Sequence, residues 1–334
     1  MKKPVIAITM GDAGGIGPEI SLLAATDAKV REACKPVIVG SAAIIRKASD
    51  VLGNVKKIMA YSSIYDLDPD ADAVAVLDDF ELDESFFAAG GASAVTGKAA
   101  VHYMDVAAEM CMSGCADAIA SAPLNKHGME LAGYHFAGAT EYFAHLTKTA
   151  EYAMVLFFGP IKMFYATNHV SLREALDSID EETVFKKLVF IDKIIKSMGE
   201  QKLLIAVAAI NPHAGENGKM GREETEILGP AIENAQRAGL SVEGPVPADT
   251  LFIKAKEGMY GAVLAMFHDQ GNIAAKLMDF GSGVTYISGL PIIRTSVAHG
   301  TAYDIAGKGL ASADTMKQAV LKASSLSLKR SMNQ

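Results

Sequence analysis

Long apolar runs, cysteine and clustered positive charge are all scarce in this sequence. No stretch reaches the roughly eighteen apolar residues of a membrane span, and Lys2-Lys3 leads into a strand-length run instead of a secretion signal. The cysteines Cys34, Cys111 and Cys115 are odd in number and lack CxxC spacing, so we expect reduced, buried thiols in a cytoplasmic protein. A net charge of −8 without a basic run argues against nucleic-acid and membrane partners.

What the sequence does contain is typical of a large α/β protein. The chain has 334 residues, of which 50% are hydrophobic and 21% charged, enough for two domains with ample cores. Strand-like runs alternate with helical patterns, which predicts βαβ units and a mainly parallel sheet. The clearest strands are 5–10, 36–40 and 117–121, and the clearest helices are 96–112 and 223–237, the latter closed by Gly239.

Two further segments have distinct local signals. Ser171 and Glu174 form a capping box that should open a helix. The segment 60–97 contains an acidic run, 66–83, which we interpret as a solvated face or loop.

Three histidines each follow an apolar run that reads as a buried strand. The runs 162–168, 203–212 and 262–267 lead to His169, His213 and His268. The carboxyl ends of parallel strands meet at one edge of a sheet, where α/β proteins bind ligands. Three neutral imidazoles converging there would bind a divalent metal and leave a coordination position open.

Two loops are less specific by themselves. Glycines in 11–19 would let the backbone approach a ligand, and the following helix start favours an anion. This loop is not the dinucleotide fingerprint G-x-G-x-x-G, and 299–310 alone reads as a surface loop before a final helix.

Together, however, the motifs resemble a known family. His299–Lys308 resembles the adenosine-binding loop of the isopropylmalate and isocitrate dehydrogenase superfamily, and 11–19 resembles its N-terminal turn. The closer resemblance is to the 4-hydroxythreonine-4-phosphate dehydrogenase family of pyridoxine biosynthesis, including its 4-phospho-D-threonate and D-erythronate branch. The motifs that carry this resemblance are 121–126, 211–216, 247–250, 268–271 and 293–296.

The resemblance implies a fold and an assembly. We expect an isocitrate/isopropylmalate dehydrogenase-like α/β fold with two α/β/α lobes and a cleft between them. Residues 1–125 with 290–334 would form the lobe with the cofactor loop, and 126–289 the lobe that binds metal and forms the dimer. The family is homodimeric, and each active site takes metal ligands from both subunits.

The resemblance also implies site residues. One divalent ion (Zn, Co, Mn or Mg) would be held by the three histidines, and NAD by the loop from His299. Asp304 should favour NAD over NADP, because a carboxylate accepts hydrogen bonds from ribose hydroxyls and repels a 2′-phosphate. Lys276 is the candidate for proton delivery, with Asp249 as a basic partner. The expected substrate-binding residues are Thr140, Lys276, Thr285 and Arg294, and the expected cofactor-binding residues are His299, Gly300, Thr301, Ala302 and Asp304.

Several positions depart from the family pattern. Ala139 replaces the histidine of Gly-His-Thr-Glu, Thr285 replaces an asparagine, and Ala298 replaces an aspartate before the cofactor loop. The N-terminal turn has Ala13-Gly14 where a proline is usual. A hydrogen bond to a charged group contributes about 1.5–3 kcal/mol, so two changed contacts in one pocket suggest a different substrate.

These features predict a metal-dependent, NAD-linked dehydrogenase. It would oxidise the secondary hydroxyl of a small phosphorylated hydroxy acid, such as 4-hydroxythreonine 4-phosphate or 4-phosphothreonate, and decarboxylate the β-keto acid. The alternatives are a cis-dihydrodiol dehydrogenase of an aromatic dicarboxylate, a non-redox metal-dependent isomerase or lyase, and a catalytically inactive sensor.

Overall fold

The computed structural model describes residues 2–53, 56–69, 72–159, 161–200, 203–278 and 283–332, and the chain divides into two compact units. The first unit is Met1–Met154 with Val284–Gln334, and the second is Val155–Gly283. The structure thus places 126–154 and 284–289, which the sequence assigned to the second lobe, in the first unit. The reason for 126–154 is close helix packing: a Cβ on Gly97 would lie 2.0 Å from the carbonyl oxygen of Gly128.

The first unit is a parallel sheet with one antiparallel strand. Its strands are β1 (Val5–Thr9), β2 (Lys35–Val39), β3 (Ile58–Tyr61), β4 (Val74–Leu77), β5 (Ala118–Ser121), β11 (Val284–Ser288) and β12 (Arg294–Val297). Their order is β3-β4-β2-β1-β5-β12-β11, and only β11 runs antiparallel to its neighbour β12 among these pairs. The helices are α1 (Gly17–Thr26), α2 (Ala28–Ala33), α3 (Ala42–Val51), α4 (Ala94–Met112), α5 (Lys126–Leu131), α6 (Ala139–Leu146) and α12 (Asp314–Met332).

The second unit repeats this architecture with fewer strands. Its strands are β6 (Ala153–Phe158), β7 (Ile161–Tyr165), β8 (Ile205–Ala208), β9 (Val242–Val246) and β10 (Ala262–Ala265), in the order β6-β7-β10-β8-β9. All pairs are parallel except β6 with β7. The helices are α7 (Leu172–Ser178), α8 (Glu181–Ser197), α9 (Gly229–Arg237), α10 (Ala248–Lys256) and α11 (His268–Met278). The core packs Met163 and Val263 of the sheet against Leu251 and Phe252 of α10, and each such side chain contributes about 1.5–3 kcal/mol.

Most of the predicted elements are confirmed, including the mainly parallel sheet and the capping box of Ser171 and Glu174 at the start of α7. The interpretation of the acidic run 66–83 was wrong in part. Strand β4 lies inside it, fully buried between β2 and β3, because its four apolar residues complete the sheet.

The predicted helix 223–237 is not continuous. Glu224–Leu228 forms a wider π-helical turn, closed by a hydrogen bond from the Gly229 N–H to the Glu224 carbonyl, and only then does α9 begin. Pro230 lies in the first turn of α9 and has no N–H to donate to an earlier carbonyl, which favours the break.

The cysteines are free thiols, as predicted, but only Cys34 is fully buried, whereas Cys111 and Cys115 are partly exposed. Burial raises the pKa of Cys34 and of Cys111 to about 12, so both are protonated and unreactive at neutral pH. In the described residues, no helix is both long and apolar enough to cross a membrane.

Candidate active site

Side-chain and backbone hydrogen bonds connect the segments that follow the three strands and lead to the three histidines. The parallel strands β7, β10 and β8 are neighbours in the sheet. After β7, both the N–H and the hydroxyl of Thr167 donate to the carbonyl of Met266, which follows β10. Gln270 accepts from the N–H of Met266 at 2.7 Å and donates to the carbonyl of Ala209, after β8, at 2.6 Å. The three histidine-bearing segments therefore emerge side by side.

Two of the histidines meet. The ring centroids of His169 and His268 lie 5.7 Å apart, beside a cavity of about 240 Å³. Asp269 Oδ1 lies 2.6 Å from Nδ1 of His268, which orients the ring and leaves Nε2 available. The cavity is lined by Thr167, Asn168, His169, Val170, Leu172, Ala175, Phe267, His268 and Asp269.

Two buried oxygens at this place lack partners in the described part of the chain. They are Oδ1 of Asn168 and the hydroxyl of Tyr165, whose ring stacks on His268 at 6.4 Å. Buried polar atoms are nearly always satisfied in native proteins, so unpartnered ones indicate a missing ligand or water. Together with two imidazoles, they are compatible with a divalent ion of the zinc type.

His213 is exposed and is the first residue of a left-handed run that follows Pro212 and extends to Gly218. Across the described ranges, no group of three or more His, Cys, Asp or Glu side chains is close enough to hold a metal ion. Within one chain the structure therefore brings together His169 and His268, and it does not complete the three-histidine set.

The backbone is strained at the predicted metal ligands. Left-handed φ values at non-glycine residues cost about 1–2 kcal/mol each, and they cluster at functional sites. In the described residues they occur at Ala88, Lys148, His169, His213, Ala214, Glu216, Asn217 and Ala302. Five of these eight belong to the two histidine-bearing segments after β7 and β8, and Ala302 belongs to the predicted cofactor loop.

The predicted catalytic residues of the second unit are solvent-exposed. Lys276 lies in the last turn of α11 and Asp249 in the first turn of α10. Neither makes a hydrogen bond or ion pair with another described residue, so both are free to meet a ligand.

In the first unit, Arg294 is a buried cation. It is 4% exposed, donates from Nε to the hydroxyl of Ser121 at 3.1 Å, and stands 5.3 Å from the ring centroid of Phe143. Burial lowers its pKa to about 10, an effect that the charge of Glu141 opposes. No carboxylate among the described residues lies within ion-pair distance of it. A buried guanidinium without a carboxylate partner is a strong binding site for a phosphate or carboxylate ligand.

The other predicted substrate residues of this unit are half-buried. Thr140 is the second residue of α6, directly after Ala139, and Glu141 follows it. Thr285 pairs with Ser296 across β11 and β12 and donates its hydroxyl to the Ser296 carbonyl at 3.3 Å. That bond occupies the Thr285 proton and leaves its oxygen as an acceptor.

The predicted cofactor loop packs on the N-terminal glycine loop. Ile16 donates its N–H to the carbonyl of Thr301 at 2.9 Å, and a Cβ on Gly15 would lie 2.6 Å from that oxygen. Tyr303 donates its hydroxyl to Asp12 at 2.7 Å; burial, and then Asp12, raise the pKa of this phenol. The loop that resembles an adenosine-binding motif and the loop that resembles the superfamily's N-terminal turn are thus packed against each other.

A buried glutamate fixes the end of this loop. Glu19 is 0% exposed, and its carboxylate accepts the N–H groups of Gly307 and Gly309, both at 2.9 Å. His299, Gly300 and Asp304 remain exposed, and Lys308 donates from Nζ to the Asp304 carbonyl at 2.7 Å. The positive charge of Lys308 therefore lies close to the backbone of Asp304.

Sequence reasoning missed Glu19, Gln270 and Glu224, whose carboxylate or amide groups hold the loops in place. The available signal was the motifs for two of them: Glu19 ends the glycine loop 11–19 and Gln270 lies in the motif 268–271, whereas Glu224 lies in neither.

Comparison with known proteins gives a consistent result. Residues 32–323 match the family model described as pyridoxal phosphate biosynthetic protein PdxA. A Clostridium botulinum protein with the provisional name D-threonate 4-phosphate dehydrogenase is 38% identical over 330 residues, which is 98% of each chain.

Solved structures agree with this assignment. A 4-hydroxythreonine-4-phosphate dehydrogenase from Klebsiella pneumoniae has a TM-score of 0.83 and 37% identity, covering 97% of this chain and 100% of its own. A terephthalate 1,2-cis-dihydrodiol dehydrogenase from Burkholderia xenovorans has a TM-score of 0.62 and 28% identity, with coverage of 97% and 98%. The chain belongs to the PdxA family of pyridoxal phosphate biosynthetic proteins.

Proposed function

We propose that this protein is a divalent-metal-dependent, NAD-linked dehydrogenase of a small phosphorylated hydroxy acid. The observation that carries the proposal is the pairing of His169 with His268 at the ends of neighbouring strands, in a chain whose relatives are named dehydrogenases. 4-Hydroxythreonine 4-phosphate and 4-phospho-D-threonate are the substrates to test first. Oxidation would leave a β-keto acid, which would then lose carbon dioxide.

The metal and cofactor would be held by separate groups. His169, His213 and His268 would bind the divalent ion, which when bound supplies Lewis acidity to a substrate hydroxyl. The loop from His299 to Ala302 would line the adenosine pocket of NAD, with Asp304 at the ribose, and the nicotinamide would accept the hydride. Glu19 and Asp12 keep this loop in one conformation.

The substrate would be held by charge and hydrogen bonding. Arg294 would bind its phosphate or carboxylate, with Thr140 and Thr285 contributing hydroxyl groups. Lys276 would hold or deliver a proton at the reacting carbon, and Asp249 would act as its basic partner. Ala139 leaves more space than the histidine usual in the family, which favours a substrate other than that of the family pattern.

The proposed unit is a homodimer with a shared metal site. His213 is exposed and outside the His169–His268 pair, as expected of a ligand given to a second copy. Exposed apolar residues on the same unit, Leu172, Ile273 and Leu277, would be covered by that copy. Mixing inactive His169→Ala and His213→Ala proteins should restore about a quarter of wild-type activity through heterodimers. Complete inactivity of the mixture would rule out sharing.

The deciding experiment is a substrate screen read by NADH absorbance. Purified protein with NAD and Co²⁺ or Zn²⁺ is offered phosphorylated four-carbon hydroxy acids, their unphosphorylated forms and the cis-dihydrodiol of terephthalate. Turnover of a phosphorylated acid supports the proposal. Turnover of the dihydrodiol alone would establish the alternative suggested by the Burkholderia xenovorans neighbour. NAD binding without any turnover would favour the inactive sensor, and metal binding without NAD binding the isomerase or lyase.

A further inference from the structure

The segment that carries His213 has an uncommon backbone. His213, Ala214, Gly215, Glu216 and Asn217 have φ values of 51°, 53°, 74°, 43° and 55°. A single left-handed residue is common in turns, but this run of six, which ends at Gly218 with a φ of 87° and includes four non-glycine side chains, is strained. Such a conformation persists only where the surrounding structure holds it.

A buried carboxylate holds the residues directly before this segment. Glu224 is 4% exposed, and its Oε1 accepts the N–H of Ile210 at 2.8 Å and the N–H of Asn211 at 2.6 Å. Its Oε2 accepts from Nδ2 of Asn211 at 2.9 Å, and Glu223 accepts from the same nitrogen at 2.6 Å. The carboxylate therefore fixes both the backbone and the side chain directly before Pro212 and His213.

Two glycines leave space for the hydrogen-bonded side chains of Glu224, Glu223 and Asn211. A Cβ on Gly215 would lie 2.6 Å from Oε2 of Glu224. A Cβ on Gly221 would lie 2.4 Å from Nδ2 of Asn211 and 2.6 Å from Oε2 of Glu223. The left-handed turn is thus seated directly against the carboxylate of Glu224.

The helical segment that begins at Glu224 is also irregular. Glu224 opens the π-helical turn Glu224–Leu228, and its own carbonyl accepts the N–H of Gly229 five residues on. Such widened turns are rare and often mark functional sites. Glu224 therefore takes part in the π-helical turn through its backbone carbonyl and contacts the left-handed turn through its carboxylate.

We propose that Glu224 is the positioning residue for His213. Its carboxylate holds the strained turn so that the imidazole is presented to the metal in one orientation. This inference rests on the proposed metal-binding role of His213. The three groups that the carboxylate meets are all N–H donors. A glutamine could keep the two backbone donors on its one oxygen, but its amide nitrogen would then face Nδ2 of Asn211, another donor.

The test measures metal affinity, with Co²⁺ absorbance or Zn²⁺ calorimetry on metal-stripped, full-length protein. Glu224→Gln should weaken metal binding by about 10- to 100-fold, as is typical when the partner of a metal-ligating segment is lost. It should also speed amide hydrogen exchange across 210–218. The matched control is Glu226→Gln, an exposed glutamate two residues on that pairs with Arg222, and it should change neither measurement.

The outcomes separate the two proposals. If Glu224→Gln binds metal like wild type while His213→Ala does not, the positioning role is wrong and the metal site stands. If His213→Ala also binds metal like wild type, the metal role of His213 is wrong. Should Glu224→Gln fail to fold, Glu224→Asp keeps the charge but is one methylene too short to reach; unchanged metal affinity in that variant would overturn the inference.

Discussion

Two buried glutamates hold the loops proposed to bind cofactor and metal, and they do so over very different distances along the chain. In the first unit, Glu19 accepts N–H groups from residues 288 and 290 positions away. In the second unit, Glu224 accepts N–H groups from residues 14 and 13 positions away. In both cases a carboxylate accepts backbone N–H groups. The first contact is global, because it joins residues far apart in the sequence, and the second is local, because it joins residues close together in the sequence.

The difference affects how each loop depends on the rest of its unit. The ends of a long chain segment come together only when the strands between them are in place, because closing so large a loop is costly in entropy. The cofactor loop should therefore be lost when the first unit loosens. The contact between Glu224 and the segment before His213 closes a stretch of only 14 residues, although Gln270 also bonds the carbonyl of Ala209 at the end of β8.

The largest expected effect comes from removing a ligand in the second unit. His268→Ala should lower kcat/KM by about a thousandfold, since a Lewis-acid metal supplies several kcal/mol to the reaction. NADH binding, measured by fluorescence titration, should be unchanged, because the cofactor loop belongs to the other unit. The control is His127→Ala, which removes only an exposed ion pair with Glu130. Equal activity of His268→Ala and wild type would refute the metal site.

We expect Arg294→Met to weaken substrate binding and, at the same time, to stabilise the first unit. Loss of the guanidinium should raise substrate KM about 10- to 100-fold, the value of a charged hydrogen bond, and should also raise the melting temperature without substrate. The folded-state pKa is lowered to about 10, so the buried charge destabilises the fold at every pH below that value, and stability recovers only as pH rises from about 10 to 12.5.

Calorimetry at neutral pH and steady-state kinetics measure both effects of Arg294→Met. Arg330→Met is the control, since Arg330 is exposed and bonds only the Pro291 carbonyl among the contacts described. A lower melting temperature for Arg294→Met would show that Phe143 and Ser121 compensate the charge fully.

Glu19→Gln tests the global contact. The amide keeps one acceptor for two N–H donors, so we expect KM for NAD to rise about tenfold and the free energy of unfolding to fall by about 1–3 kcal/mol. Metal affinity should stay at the wild-type value. The control Glu32→Gln changes an exposed glutamate of α2. A loss of metal affinity in Glu19→Gln would mean that the two loops are not independent.

The smallest effect concerns cofactor choice. Asp304→Lys should narrow or reverse the preference for NAD, by a few-fold in kcat/KM, because it replaces repulsion of the 2′-phosphate by attraction. Asp304→Asn removes the negative charge while Lys308 remains at the backbone carbonyl of residue 304. Its ratio of kcat/KM for NAD to kcat/KM for NADP should therefore lie between those of wild type and Asp304→Lys. If the wild-type enzyme prefers NADP, the assignment of Asp304 is wrong.

Local patterns made the histidine-bearing strands predictable. The apolar runs before His169, His213 and His268 are long enough to read as buried strands, and β7, β8 and β10 confirm them. Strand β4 was missed because four apolar residues inside an acidic run give too weak a signal. The break before α9 was missed because Pro230 is also acceptable in the first turn of an ordinary helix, so its position did not predict the wider turn before it.

The sequence by itself determined the α/β class, the mainly parallel sheet and the family, since burial of apolar runs and the motifs are properties of short segments. Only the tertiary structure decided which charged groups are buried. The sequence did not predict the burial of Glu19, Glu224 or Arg294, yet each is at most 4% exposed. Their partners are backbone N–H groups, a hydroxyl and an aromatic ring. The type of a residue does not predict such partners, because only the fold brings them within contact distance.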